Sequence, residues 1–464
     1  MNASLPVVVI GAGPVGLAAA AHLLERGLEP LVLEAGERVG AGMLSWAHVR
    51  MFSPWRYNVD RAASALLERH GWRLEDPEGF PTGADMAERY LAPLAATPEL
   101  APRIRTGSRV IAVSRWRRDR MKDAGRADTP FLVRYVDSRG EHDIRARAVI
   151  DASGTTSLPN PMGASGLPAR GEAAVAAHVV HGMPDVLGRD RDRYAGRRVL
   201  VVGSGHSAFN VLNDLATLAG EAPGTRIVWA LRRATVARVL GGGEHDQLRE
   251  RGALGLAIKR WLEAGVLRAE TGFHLESLER TDEGIVARDG ERALPPVDEI
   301  VSATGFRPDH RILAELRLAL DPGTAAPVAL APLIDPNLHS CGSVRPHGIA
   351  ELAHPDPGVY IVGMKSYGRA PTFLLLTGYE QVRSVVAGIA GDHAAAARVE
   401  LVLPETGVCI TRFADEGEGA PPNRCCAPPL TDSAGLAEAP ASATVGCGTG
   451  CGSGRPAASA ACCA

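Results

Sequence analysis

The sequence predicts an α/β fold of two nested units, each built on a parallel sheet, followed by a flexible cysteine-rich tail. Three observations predict it. A strand, glycine turn and helix occur twice. A buried strand ending in a small-residue turn also occurs twice, once after each glycine turn. Composition then changes abruptly at Glu416.

The chain has 464 residues, of which 45% are apolar and 22% charged. At ~150 residues per domain this is about three domains' worth of globular chain. The net charge of −3 excludes a strongly basic nucleic-acid binder and gives no reason to expect an anionic membrane partner. Residues 3–24 carry no charged side chain except His22 and are long enough to imitate a membrane span. No basic flank precedes them, and Gly11, Gly13, Pro14 and Gly16 interrupt them, so strand, turn and helix fit better. With no other candidate span or leader, the expectation is a soluble cytoplasmic protein.

The first unit opens with the strand Val7–Ile10, the turn Gly11-Ala12-Gly13-Pro14-Val15-Gly16 and an Ala/Leu-rich helix to about Gly27. Gly11 suits a tight turn, Gly13 lets backbone approach a pyrophosphate, and Gly16 allows close helix–strand packing. Glu34 ends the next strand, where a carboxylate accepts the ribose hydroxyls of an adenosine. Between Thr106 and Ala148 the pattern is that of β-strands, with turn residues at Asp137–Gly140. A buried strand then runs from Val149 into Asp151-Ala152-Ser153-Gly154.

The second unit repeats this with the strand Val199–Val202 and the turn Gly203-Ser204-Gly205-His206-Ser207-Ala208, followed by a helix to about Ala219. Here the next strand ends in Arg232-Arg233 instead of an acid. Two guanidiniums suit a 2′-phosphate and favour NADPH over NADH. The strand at Ile300 ends in Ala303-Thr304-Gly305. The expected boundaries are 1–165 with 298–415 for the outer domain, 166–297 for the inner domain and 416–464 for the tail.

In the tail, 30 of the 49 residues from Glu416 on are Gly, Ala, Pro or Ser, and none is aromatic. Such a segment buries too little apolar surface to offset its ordering entropy. Seven of the eight cysteines fall in the last 56 residues, whereas residues 1–340 contain none. A disulfide-stapled fold would spread them through the body. Cys425-Cys426, Cys447, Cys451 and Cys462-Cys463 offer thiolates to a soft metal or metalloid. A zinc clip, an oxidation-prone tail and glutathionylation sites are the alternatives.

The two glycine turns, the Ala303-Thr304-Gly305 turn and the nested order resemble the two-dinucleotide-domain flavoproteins. Within these, residues 5–415 resemble flavin-containing monooxygenases and, more loosely, thioredoxin reductases. The resemblance implies two Rossmann-like domains, with FAD at the first turn and NADPH at the second. It also implies FAD contacts at Asp151, Ala152, Ser153 and Gly154, and at Gly363, which follows the strand Val359–Val362. The chain departs from the reductases in lacking their CxxC, and from the monooxygenases in a degraded FxGxxxH signature, with His178 or His181 standing for its histidine.

Three stretches, Arg50–Trp55, Pro81–Gly83 and Gly363–Phe373, resemble the flavin monooxygenase-like proteins of actinobacterial arsenic-resistance operons. That resemblance implies oxidation of trivalent arsenicals with O₂ and a small-molecule substrate. It also makes Phe52, Ser53 and Trp55 flavin-facing candidates. No catalytic acid or base is assigned, because the flavin carries the chemistry. A homodimer is the candidate assembly. The open alternatives are a flavin-dependent metal or metalloid reductase, a monooxygenase of an organic substrate and a non-catalytic metalloid-binding sensor.

Overall fold

Apolar runs long enough to be buried on both faces are what parallel sheets require. The computed structural model describes residues 4–237, 239–240, 249–338, 344–370 and 373–401. Its first stretch holds β1 (Val7–Ile10), α1 (Pro14–Glu25), β2 (Pro30–Leu33) and α2 (Arg61–Glu68). Next come β3 (Ile104–Arg105), β4 (Arg109–Arg115), β5 (Phe131–Asp137), β6 (Gly140–Ala146) and β7 (Ala148–Asp151). The second stretch holds β8 (Val179–His181), β9 (Arg198–Val202), α3 (His206–Glu221), β10 (Arg226–Ala230) and β11 (Leu267–Glu270). The chain continues through β12 (Ser277–Thr281), β13 (Gly284–Asp289), β14 (Arg292–Ala293), β15 (Glu299–Ser302), β16 (Val359–Ile361) and α4 (Leu375–Ile389).

Two five-stranded sheets result, in the orders β16-β7-β1-β2-β3 and β11-β10-β9-β15-β8. All pairings within each are parallel. Strand alternation divides each sheet between two cores. In β1, Val7 and Val9 pack among the helices, whereas Val8 and Ile10 join Val113, Phe131 and Val133 of the antiparallel meander β4-β5-β6. In β9, Val199 and Val201 pack against α3 residues such as Val211 and Leu215. Leu200 and Val202 face the other way, toward Leu278 and Ile285 of the meander β12-β13-β14. Each such side chain, fully withdrawn from water, contributes about 1.5–3 kcal/mol before entropy is counted. The two sheets are therefore built on one plan: a central strand, helices on one face and a three-stranded meander on the other.

One expected boundary moves. The strand Glu299–Ser302, placed with the outer domain, lies inside the second sheet instead. Ile300 and Val301 pair with Leu200 and Val201 on one side and with Val179 and Val180 on the other. The chain therefore leaves the second sheet after Ser302. The repeated small-residue turns reflect this symmetry, since β7 flanks β1 as β15 flanks β9.

The segment 416–464 and all eight cysteines, the candidate thiolate ligands among them, lie outside the described residues. No helix among the described residues is long and apolar enough to cross a membrane.

Candidate functional site

In an open parallel sheet, a crevice forms at the carboxyl ends of the strands where chain direction switches sides. β1 is followed by β2 on one side and flanked by β7 on the other, and β9 stands likewise between β10 and β15. Both glycine turns sit at these switch points. Gly11, at φ +97°, lies so close to β7 that a Cβ would stand 2.8 Å from the Ala152 carbonyl oxygen. Gly203, at φ +131°, would put a Cβ 2.3 Å from the Ala303 oxygen. A Cβ on Gly16 would fall 2.0 Å from the Gly11 oxygen. These three glycines are needed by the fold itself.

Gly13 and Gly205 are not needed in that way. Their φ values of −80° and −89° suit any residue, and a Cβ on either would meet no atom within 4 Å. Each immediately precedes a helix. Neither α1 nor α3 has a side-chain cap or an acidic residue in its first turn. Both helix starts thus keep leading N–H groups without a side-chain cap and a positive dipole end, an arrangement suited to phosphate. Pro14 fits the first helical position of α1, where an N–H would have no partner in the helix.

Glu34 is held at the first crevice by two backbone donors. Its Oε2 accepts from Ala12 N–H at 2.6 Å and its Oε1 from Gly36 N–H at 2.7 Å. Each oxygen keeps a lone pair for another donor, such as a ribose hydroxyl. On the other side of β1, Asp151 is fully buried and bonded to Lys365 Nζ at 2.6 Å. Ser153 completes the cluster, its hydroxyl donating to Asp151 at 2.6 Å and accepting from Lys365 at 3.0 Å. Gly154 is left-handed at φ +70°, with open space where a Cβ would stand. Sequence reasoning missed Lys365. The signal was there: it is one of only three lysines and follows the strand-ending Gly363.

Gly363, at φ +67°, comes to the first turn of α1, where a Cβ would stand 3.3 Å from the Val15 side chain. Its N–H is already taken by Gln381 Oε1 at 2.7 Å. The Gln381 amide nitrogen donates onward to His347 Nε2 at 2.8 Å, so the His347 proton sits on Nδ1 and points to the Arg345 carbonyl. Burial holds the His347 pKa below its ordinary value.

The flavin-facing candidates separate. Trp55 is 4% exposed and belongs to the main helical core, with the Arg89 guanidinium 5.6 Å from its ring. Ser53 is buried and donates to Asn58 Oδ1 at 2.8 Å. Both side chains hold the loop from within. Phe52 is half-buried, and its ring lies 5.3 Å from that of His206 on the second turn.

A buried network anchors this loop. Tyr379 donates to the Asn58 carbonyl at 2.6 Å, and Tyr90 accepts from Asp60 N–H at 3.1 Å. The Asp60 carboxylate caps α2 and lies 3.1 Å from His22 Nε2. Burial disfavours a charged His22, but Asp60 and then Glu25 outweigh it and raise its pKa to about 9.

In the second crevice, Trp229 Nε1–H donates to the Gly203 carbonyl at 2.6 Å. Ser204 and Ser207 are half-buried beside it. Arg232 is exposed at the end of β10, within 3.4 Å of the Ala164 oxygen, and Arg233 follows half-buried. Ala303 lies against Gly203, but Thr304 and Gly305 engage the connector from the first sheet. Thr304 Oγ1 donates to the Asn160 carbonyl at 3.0 Å, and Asn160 N–H donates to the Gly305 carbonyl at 2.9 Å. Asn160 had no motif to announce it.

The two candidate histidines lie at opposite edges of the second sheet. His178 precedes β8 and meets Glu299, the first residue of β15, at 3.2 Å, so it stands at the amino edge, away from the crevice. His181 ends β8 at the carboxyl edge and lines a cavity of about 380 Å³ with Asn160, Leu167 and Arg307.

Comparisons agree with this layout. A ferredoxin–NADP reductase of Salinispora tropica is 26% identical over 329 residues, covering 68% of this chain and 78% of the relative. Indole-3-pyruvate monooxygenase YUCCA1 of Oryza sativa is 30% identical over 216 residues, covering 45% of this chain and 44% of the relative. The bacillithiol disulfide reductase of Bacillus cereus superposes with a TM-score of 0.61 at 19% identity, covering 83% of this chain and 99% of that structure. The sequence model of the pyridine nucleotide-disulphide oxidoreductases matches residues 8–329, and with two switch-point crevices carrying the expected glycine turns the chain belongs to that family of oxidoreductases.

Proposed function

We propose that the chain is an FAD-dependent NADPH oxidoreductase of the monooxygenase type, oxidising a soft nucleophile, trivalent arsenic in particular, in detoxification. One observation carries the cofactor part: Gly13 and Gly205, which the fold itself does not require, stand before uncapped helix starts.

FAD fits the first crevice, with the α1 start and Gly13 at its pyrophosphate and Glu34 at its ribose. Ala152, Ser153, Gly154 and Gly363 line the same crevice. NADPH fits the second, with Gly205 and the α3 start at its pyrophosphate and Arg232-Arg233 at its 2′-phosphate. When bound there, FAD would supply the chemistry of taking hydride from NADPH and handing electrons to O₂. The protein holds both dinucleotides, fixes the Phe52 loop through Ser53 and Asn58, and keeps water from the buried Asp151–Lys365 side. A soft nucleophile needs no proton removed before it is oxidised, which is consistent with the lack of an assigned general base.

The matched region contains no cysteine, so a disulfide exchanged within it is excluded on chemistry. Seven cysteines at positions 409–463, in two vicinal pairs and a spaced one among others, support a thiophilic substrate. A second reading is favoured by the ferredoxin–NADP reductase relatives, which match over 65–68% of the chain: a reductase that delivers electrons to an external acceptor. NADPH oxidation by the FAD-loaded protein, measured in air and then anaerobically with ferricyanide or ferredoxin, separates them. Oxidation that stops without O₂ and product carrying one oxygen from O₂ support the monooxygenase, whereas unchanged turnover with the acceptor supports the reductase.

A further inference from the structure

A row of rings runs from the Phe52 loop into the core of the second sheet. Phe52 stands on the loop beside the first sheet. Its ring is 5.3 Å from His206 at an interplanar angle of 46°. His206 is the first residue of α3. Its ring lies edge-on to Phe209 at 6.3 Å, and Phe209 lies edge-on to Trp229 at 5.9 Å. Trp229 in turn holds the Gly203 carbonyl.

The loop behind Phe52 is fixed on both sides. Met51 N–H donates to the Pro81 carbonyl at 2.8 Å, and Ser53 is tied to Asn58. The backbone at Phe52 is thus held in place while its ring reaches across to the phosphate turn. Any dinucleotide seated with its pyrophosphate on Gly205 and the α3 start must come against His206, whose ring Phe52 already contacts.

We infer that Phe52 is a cover on the second dinucleotide site, competing with NADPH for contact with His206 and tuning the affinity of that site. The inference rests on the reading that Gly203–Ala208 takes NADPH. An aromatic contact given up on binding is an affinity cost, and its removal strengthens binding. Such contacts are of a size to change a dissociation constant roughly 2- to 10-fold.

The test is calorimetric titration of NADP⁺ into FAD-loaded wild type, Phe52→Leu and Phe52→Ala, with FAD content measured in each. Leucine keeps apolar volume and removes only the ring, so Phe52→Leu decides the question if alanine impairs folding. The expected result is NADP⁺ binding tightened roughly 2- to 10-fold with FAD content unchanged. Unchanged or weaker NADP⁺ binding by Phe52→Leu would overturn the cover while leaving the NADPH site standing. Absence of NADP⁺ binding by the wild type would overturn the NADPH reading and the cover with it.

Discussion

The ammonium of Lys365 meets the carboxylate of Asp151 at 2.6 Å, with the two side chains 2% and 0% exposed. The pair ties the end of β7 to the turn after its neighbour β16, on one side of the first crevice. Both charges are out of water, so each depends on the other. Lys365→Met leaves a buried carboxylate and should cost about 3–5 kcal/mol in denaturant unfolding. Lys365→Met with Asp151→Leu should recover most of that loss. A single variant as stable as wild type would show that the pair has no such role.

His22 gives a pH signature. Its folded pKa of about 9 lies above the ordinary value of 6.5, so the fold holds the proton more tightly than the unfolded chain does. The stabilisation is complete below about pH 6.5 and is lost as pH rises through 9, with a full size of about 3 kcal/mol. Unfolding midpoints at pH 6 and pH 9.5 should therefore differ more in wild type than in His22→Gln. Equal pH dependence in the two would contradict the assignment.

The glycines divide into two classes by experiment. Gly11→Ala and Gly16→Ala meet backbone oxygens and should impair folding of the apoprotein. Gly13→Ala should change apoprotein stability by no more than about 1 kcal/mol, the scale of a weaker helix cap, yet lose FAD on gel filtration. Gly205→Ala should retain FAD and lose NADPH affinity. If both variants bind both dinucleotides normally, the crevices serve something else.

Much of this was legible in the sequence because parallel strands buried on both faces leave uninterrupted apolar runs, as in Val7–Ile10 and Val199–Val202. The glycine turns were legible because Gly11 and Gly203 have a steric reason that no other residue satisfies. What stayed hidden was long-range. Nothing near Lys365 in the chain announces Asp151, and nothing near His22 announces Asp60. The edge that β15 joins depends on which strand it pairs with, which apolarity alone does not encode. The burial of Trp55 in the main core was hidden too, because an aromatic turn looks the same in sequence whether its ring points outward or into a core.

Arg232 and Arg233 should set the preference between reduced dinucleotides. Replacing both with Gln should lower the ratio of NADPH to NADH catalytic efficiency about 10- to 100-fold, the scale of charge-assisted hydrogen bonds to a phosphate. A ratio that stays constant would move the 2′-phosphate elsewhere.

The central claim is oxidation of trivalent arsenic by O₂ at NADPH's expense. The most direct test is simultaneous NADPH and O₂ consumption by the FAD-loaded full chain, with and without arsenite or methylarsenite. The account predicts stimulation by one of them, one O₂ consumed per NADPH, and a pentavalent product. NADPH and O₂ consumption that neither arsenical changes would contradict it.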